Sequence, residues 1–301
     1  MNTIRLFIVL VLISGVACNQ QIIPDSIEMP AKGALITTRI NSFEELKEII
    51  DIEYSRSGTP QVNVTHSVDG YEVESILRSG LDESDFIRAQ KGDIWDKISL
   101  AFKTPYSVIY RKDLLRAYIL ARWRCDVFGE GDIAFFDFAQ TMVRHISKVD
   151  IAETQEGDLS EKGYLNTFNH ITAQAFMTTI FSEKMSDLIA DVHERDRIPE
   201  LITGDFTEEQ INDINNGAVD NYVDLINNEW GQELGKKLRK KHNITHSTIW
   251  TPELLATYLN DVQSYLSWVF QIGFEPFRPS DDIIQRFAFK INSVMEDVSV
   301  Y

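Results

Sequence analysis

Asp213–Leu238 reads DINNGAVDNYVDLINNEWGQELGKKL, and the spacing of its apolar residues predicts a helix. With Asp224 at the centre of a wheel turning about 100° per residue, Asp213, Asn216, Gly217, Asp220, Asn221, Asn227, Asn228, Gly231 and Gly235 fall within roughly 80° of it. The opposite side carries Ile211, Ile214, Ala218, Tyr222, Leu225, Ile226 and Trp230, an ordinary core face. A solvated face would use Glu, Lys, Gln and Arg, because Asp, Asn and Gly each cost about 0.5–1 kcal/mol relative to Ala inside a helix. Glycines and short polar side chains let another backbone approach, while amides and carboxylates keep their hydrogen-bonding capacity. The stripe is therefore expected to face inward, into a polar seam between helices.

The expected partner is GYLNTFNHITAQAFMTTIF, residues 163–181, apolar almost all round through Tyr164, Leu165, Phe168, Ile171, Phe176, Ile180 and Phe181. Within it Asn166, His170 and Gln174 recur at four-residue intervals on one side. Buried polar groups need partners, at about 1–3 kcal/mol for each one left alone, and the Asp and Asn stripe can supply them. Asp220 and Asp224 stand four residues apart and repel if both are ionised in a seam. Compensation must come from a protonated His, a bound cation, an Arg from a neighbouring segment, or a raised carboxyl pKa. The candidates are His170, and His193 with Glu194 in IADVHERDR, where Arg195 and Arg197 are rival counter-charges.

Three of these stretches, NTFNH (Asn166 to His170), HE (His193-Glu194) and DLINNEWG (Asp224 to Gly231), occur in an order that resembles an uncharacterised bacterial helical family. That family is marked by N-A-F-R-H, then H-E, then D-L-x-N-N-x-x-G. The resemblance spans residues 163 to 240, and Thr167 and Asn169 stand where its first motif has Ala and Arg. It implies an all-helical fold and singles out residues without naming a reaction.

The N-terminus, MNTIRLFIVLVLISGVAC, has one positive charge at Arg5, an apolar run and small residues before Cys18. It is too short to span a membrane and reads as a secretory signal. It resembles the bacterial lipoprotein signal, which implies a lipid on Cys18, although Gly15-Val16-Ala17 also suits ordinary signal peptidase. The expected division is a signal peptide at 1–17, a tether at 18–40, a helical region at 41–150 and a second at 151–301 carrying the polar cluster. The expected address is the cell envelope, anchored by lipid in the outer membrane and facing the periplasm; a secreted or soluble periplasmic protein is the alternative. A formal charge of −17 argues against nucleic acid and against anionic lipid as electrostatic partners, so membrane attachment is expected through the acyl chains alone.

Helix punctuation recurs along the chain. Ser42 with Glu45, Asp132, Thr207 with Gln210, Thr251 before Pro252, and Ser280 each precede an apolar stripe. TPQVNVTHSV is the one clear alternating stretch, expected as a lone edge hairpin or loop. The fold class is all-α, an orthogonal bundle of eight to ten helices with a minor strand or hairpin in the N-terminal half. Cys125 is expected buried, His145 in the core or at a helix end, and His242 and His246 exposed.

No GxSxG elbow, P-loop or Gly-rich dinucleotide turn occurs. What remains is the seam, with Asn166, Glu194, Asn227 and Asn228 as binding residues. One reading makes it a site of hydrolysis, with His170 as general base oriented by Asp224, or with a divalent transition metal on His170, His193 and Asp224, completed by Glu194 or water. The other makes it a binding or scaffold module in which the cluster fixes helix register.

Overall fold

The computed structural model describes residues 29, 31–155 and 157–296; the expected signal peptide, Cys18 and the first part of the expected tether lie outside them. The rest of that tether is not free chain. Met29, Ala31, Ala34, Ile36 and Ile40 are buried, along a mostly extended segment with one 3-10 turn at Thr37–Arg39. Such a segment has neither helical nor strand periodicity, so nothing in its pattern announces its burial.

Ser42 then caps α1 (Phe43–Ile49) by accepting from the Glu45 N–H, as its spacing predicts. Three strands follow, β1 (Asp51–Ser55), β2 (Gln61–Val68) and β3 (Tyr71–Arg78), paired antiparallel in that order. Val62 faces Tyr54 and Leu77, and Val64 faces Ile52 and Ser75. The alternating stretch is thus the central strand of a small sheet rather than a lone hairpin. Asp69 and Gly70, with φ of 53° and 81°, make the two-residue turn between β2 and β3, where a mirror-image turn matches strand twist.

Helices fill the remainder. α2 (Glu83–Lys91), α3 (Ile94–Lys103), α4 (Pro105–Ile109) and α5 (Arg111–Ala121) run consecutively, and α3 has no buried residue. α6 (Cys125–Phe128), α7 (Phe135–His145) and α8 (Lys148–Ala152) come next. Cys125 is exposed, against expectation, because α6 is a single turn with no buried residue. Asp132 does not cap α7; Asp137 accepts from the Ala134 N–H at 2.7 Å. Asp132 instead forms a buried ion pair with Lys290 at 2.9 Å.

The second region holds α9 (Tyr164–Ile180), α10 (Glu183–Arg197), α11 (Glu208–Asn212), α12 (Ala218–Lys241), α13 (Pro252–Phe270) and α14 (Asp282–Glu296). Ten of the fourteen helices among the described residues have seven or more residues, so the fold is an all-α bundle with a minor antiparallel sheet. α7 packs on α9, with Phe135 and Phe138 against Phe176 at centroid distances of 5.4 and 5.9 Å, so one core joins the two regions.

Asp213–Leu238 is not helical from its start. α11 ends at Asn212 and α12 begins at Ala218; between them Asp213 Oδ1 accepts from the N–H groups of Asn215 and Asn216, each at 3.0 Å. Asp213, Asn216 and Gly217 are therefore turn and cap residues, whose composition on the wheel imitated a helix face. From Ala218 onward the reading holds. α12 is buried on nearly every side down to Leu238, packed against α9 and, through a 3.0 Å bond from Trp230 Nε1 to His66 Nδ1, against β2.

Candidate functional site

α9 and α12 run in the same direction. Asn166 meets Asp220 and Asp224, His170 meets Asp224 and Asn228, and further along the glycines of α12 meet the next turns of α9. A Cβ on Gly231 would lie 2.9 Å from the Ile171 carbonyl oxygen, and one on Gly235 would lie 2.6 Å from that of Ala175. These contacts are shorter than a real Cβ tolerates, so only glycine permits the approach. The inward-facing stripe follows from this packing: Asp220, Asp224, Asn227 and Asn228 are all at most 2 % exposed.

Most polar groups in the seam have definite partners. Asn166 Nδ2 donates to Asp224 Oδ1 at 2.7 Å and lies 3.4 Å from Asp220 Oδ1. Lys162 Nζ donates to Asp220 Oδ2 at 2.8 Å, and Thr37 Oγ1 donates to Asp220 Oδ1 at 3.2 Å. His170 Nδ1 bonds Asn228 Oδ1 at 2.8 Å, and its Nε2 lies 3.3 Å from Asp224 Oδ2. Since an amide oxygen only accepts, Nδ1 carries the proton and Nε2 is the nitrogen turned towards the carboxylates. Asn227 does different work. Its Oδ1 accepts from the Leu35 N–H at 2.8 Å and its Nδ2 donates to the Leu35 carbonyl at 3.0 Å, pinning the N-terminal segment to α12.

Glu194, from α10, completes the set. His170, Glu194 and Asp224 each offer one ligand-type atom, and these atoms lie within 4.8 Å of one another. Glu194 is 1 % exposed, and neither its Oε2 nor Asp224 Oδ2 makes a hydrogen bond. Burial drives the Glu194 carboxyl up to about 8, helped by the Asp224 charge. Burial opposes charge on the His170 ring, but Asp224 and Glu194 beside it and the bond to Asn228 outweigh that, and its pKa rises to about 9. Burial and the Asp224 charge raise Asp220 to about 6, with Lys162 working against them.

His193 is not part of this arrangement. Adjacent residues on a helix point about 100° apart, so with Glu194 turned inward His193 is turned out, 40 % exposed and 3.4 Å from Glu83 Oε1. The metal set expected on His170, His193 and Asp224 is corrected to His170, Glu194 and Asp224. Arg195 does not serve as counter-charge; it bonds the carbonyls of Leu81 and Arg78 and pairs with Asp191. Lys162, two residues before α9, is the cation the sequence reading missed. Its signal was its place one turn N-terminal to Asn166. His242, expected exposed, is instead held at 2.7 Å by Asp261, which also takes Lys241 at 2.9 Å.

No family model, characterised protein or solved structure matches this chain. The chemistry of the seam therefore rests on its own geometry. That geometry is a closed, polar, carboxylate-rich centre with one imidazole, able to hold a cation or to neutralise itself with protons. Neither of the two clearest surface cavities is lined by its residues.

Proposed function

We propose that this protein is a lipid-anchored envelope protein whose helical body binds one divalent transition cation through His170 Nε2, Glu194 and Asp224. The observation that carries the reading is the pair of buried carboxylate oxygens without hydrogen bonds, Glu194 Oε2 and Asp224 Oδ2, beside an imidazole nitrogen. An unsatisfied buried acceptor costs about 1–3 kcal/mol, more when charged, and a cation removes that cost for both at once. One imidazole with two carboxylates suits Zn²⁺, Mn²⁺ or Fe²⁺. Asn228 acts on the cation indirectly, because its oxygen fixes the tautomer and plane of His170. The apolar run, the small residues and Cys18 support the envelope address.

Burial favours binding over turnover. The His170 side chain is 12 % exposed and Asp224 1 %, which leaves little approach for a substrate. A ring that stays protonated up to about 9 is also a poor general base at neutral pH. A second reading has its own support: with His170 charged, Asp224 ionised and Glu194 protonated, the three groups are neutral together without a metal, and the cluster then fixes the register of α9, α10 and α12.

Elemental analysis of chain purified without added metal or chelator separates the two. The cation reading expects about one equivalent of a transition metal, lost in His170→Gln, and a melting temperature that falls with chelator and recovers with metal. Absence of metal together with a melting temperature indifferent to chelator and to added Zn²⁺, Mn²⁺ or Fe²⁺ overturns it in favour of the proton-balanced cluster. Incorporation of labelled fatty acid, abolished by Cys18→Ser, tests the anchor.

A further inference from the structure

The helices that follow the sheet have a composition unlike the rest of the molecule. From the start of α2 to Arg124, residues 83–124 hold nine Lys and Arg against five Asp and Glu, a surplus of four positive charges in a chain of formal charge −17. They also expose large apolar side chains to a degree that a buried helix layer would not. Trp95 is 71 % exposed, Phe102 84 % and Ile109 70 %, and Ile87, Ile94, Tyr118 and Trp123 are each near half or more.

The exposure is ordered. On α3 the residues Ile94, Trp95, Ile98 and Phe102 fall within about 100° of one another, an amphipathic stripe on a helix with no buried residue. On α5 and its continuation Arg111, Leu115, Tyr118 and Arg122 share a face about 60° wide, apolar in the middle and basic at both ends. An open depression on α2 is lined by Ile87, Arg88, Lys91 and Gly92. Contiguous exposed apolar surface marks an interaction site. Tryptophan and other aromatic rings flanked by Lys and Arg are the composition that settles at a bilayer surface.

We propose that α2 to α5 form a membrane-docking face that seats on an anionic lipid surface. Charge complementarity selects this occupant: the basic side chains lie among exposed rings, and a bilayer takes the basic residues at its phosphates and the rings at the acyl boundary. On this proposal the acidic balance that argues against anionic lipid belongs to the remainder of the chain. The docking face does not depend on acylation of Cys18.

The test uses the full chain with Cys18→Ser, so that no lipid is attached, and vesicles of equimolar phosphatidylglycerol and phosphatidylcholine. Quenching of tryptophan fluorescence by brominated acyl chains reads insertion at the face itself when Trp268, 40 % exposed and outside the face, is replaced by Phe in every sample; Trp230 and Trp250 are buried and stay dark to the quencher. The expected result is quenching that disappears in Trp95→Phe with Trp123→Phe. Trp95→Ser with Phe102→Ser should weaken partitioning by on the order of tenfold or more. Lys97→Glu or Lys112→Glu should weaken it by roughly fivefold or more each, with all binding falling as salt rises. The substituted rings are exposed, so unchanged far-ultraviolet circular dichroism and melting temperature are expected of each variant. Equal binding to pure phosphatidylcholine overturns the proposal, as does partitioning indifferent to the ring substitutions. So does a self-associated chain that becomes monomeric in Trp95→Ser, which would assign the face to a second copy.

Discussion

Replacing Glu194 with Gln isolates the chemistry of the seam, because the amide has the shape of the protonated carboxyl but can neither ionise nor bind a cation as an anion. In the native fold the Glu194 carboxyl titrates at about 8 against an ordinary 4.5. The folded state therefore binds this proton more tightly than the unfolded chain does, and between pH 4.5 and 8 stability falls as pH rises. At about 1.36 kcal/mol per pH unit the full window is worth about 5 kcal/mol, and the part below pH 7 about 3 kcal/mol. Glu194→Gln abolishes that slope. In chelator at pH 7 the variant should be more stable than the parent by about 3 kcal/mol, a rise in melting temperature of about 5 °C for a chain of this length, and near pH 4.5 the two should coincide. With a bound divalent cation the order reverses, because the parent gains binding free energy that the amide forfeits. Urea or thermal unfolding across pH 4.5–9, with chelator and with metal, gives all four comparisons. A variant less stable than the parent at pH 7 in chelator, with the same pH slope, would refute the placement of a protonated, buried Glu194.

The other expectations are briefer. His170 holds its proton to about 9 rather than 6.5, so the stability it contributes is complete below 6.5 and lost as pH rises through 9; His170→Gln removes that loss, and the ring's NMR shift should still report the charged form at pH 8 in metal-free protein. Gly235→Ala places a methyl 2.6 Å from the Ala175 carbonyl oxygen, and should lower stability by about 1–3 kcal/mol in denaturant unfolding as α9 and α12 separate. Asn227→Ala leaves both the N–H and the carbonyl of Leu35 without these partners, and should cost about 1–3 kcal/mol while speeding proteolysis between residues 31 and 40.

The helical fold was legible because its signals are local. Ser42, Thr207 and Thr251 do cap helices, and the stripe Ile284, Phe287, Ile291 and Val294 is the buried side of α14. The seam was legible for a different reason: Asp, Asn and Gly on an otherwise good helix are unfavourable choices that only close packing explains. The misreadings share a cause in turn. Asp213 and Asn216 have the same composition as the seam but spend it on a turn. His193 and Glu194 are neighbours whose roles are decided by a rotation that sequence spacing alone did not fix. Lys162 and the buried segment from Ala31 to Ile40 are long-range partners of α12, and long-range pairing leaves no periodic trace.

Thr37 and Leu35, fastened to Asp220 and Asn227, give the molecule a mechanical property. A pull on the N-terminal end of the described residues does not peel a peripheral helix. The load enters the central helix beside the carboxylates. It must shear the Leu35 clamp and draw Ala31, Ala34 and Ile36 out of the interior before any other part of the body feels tension.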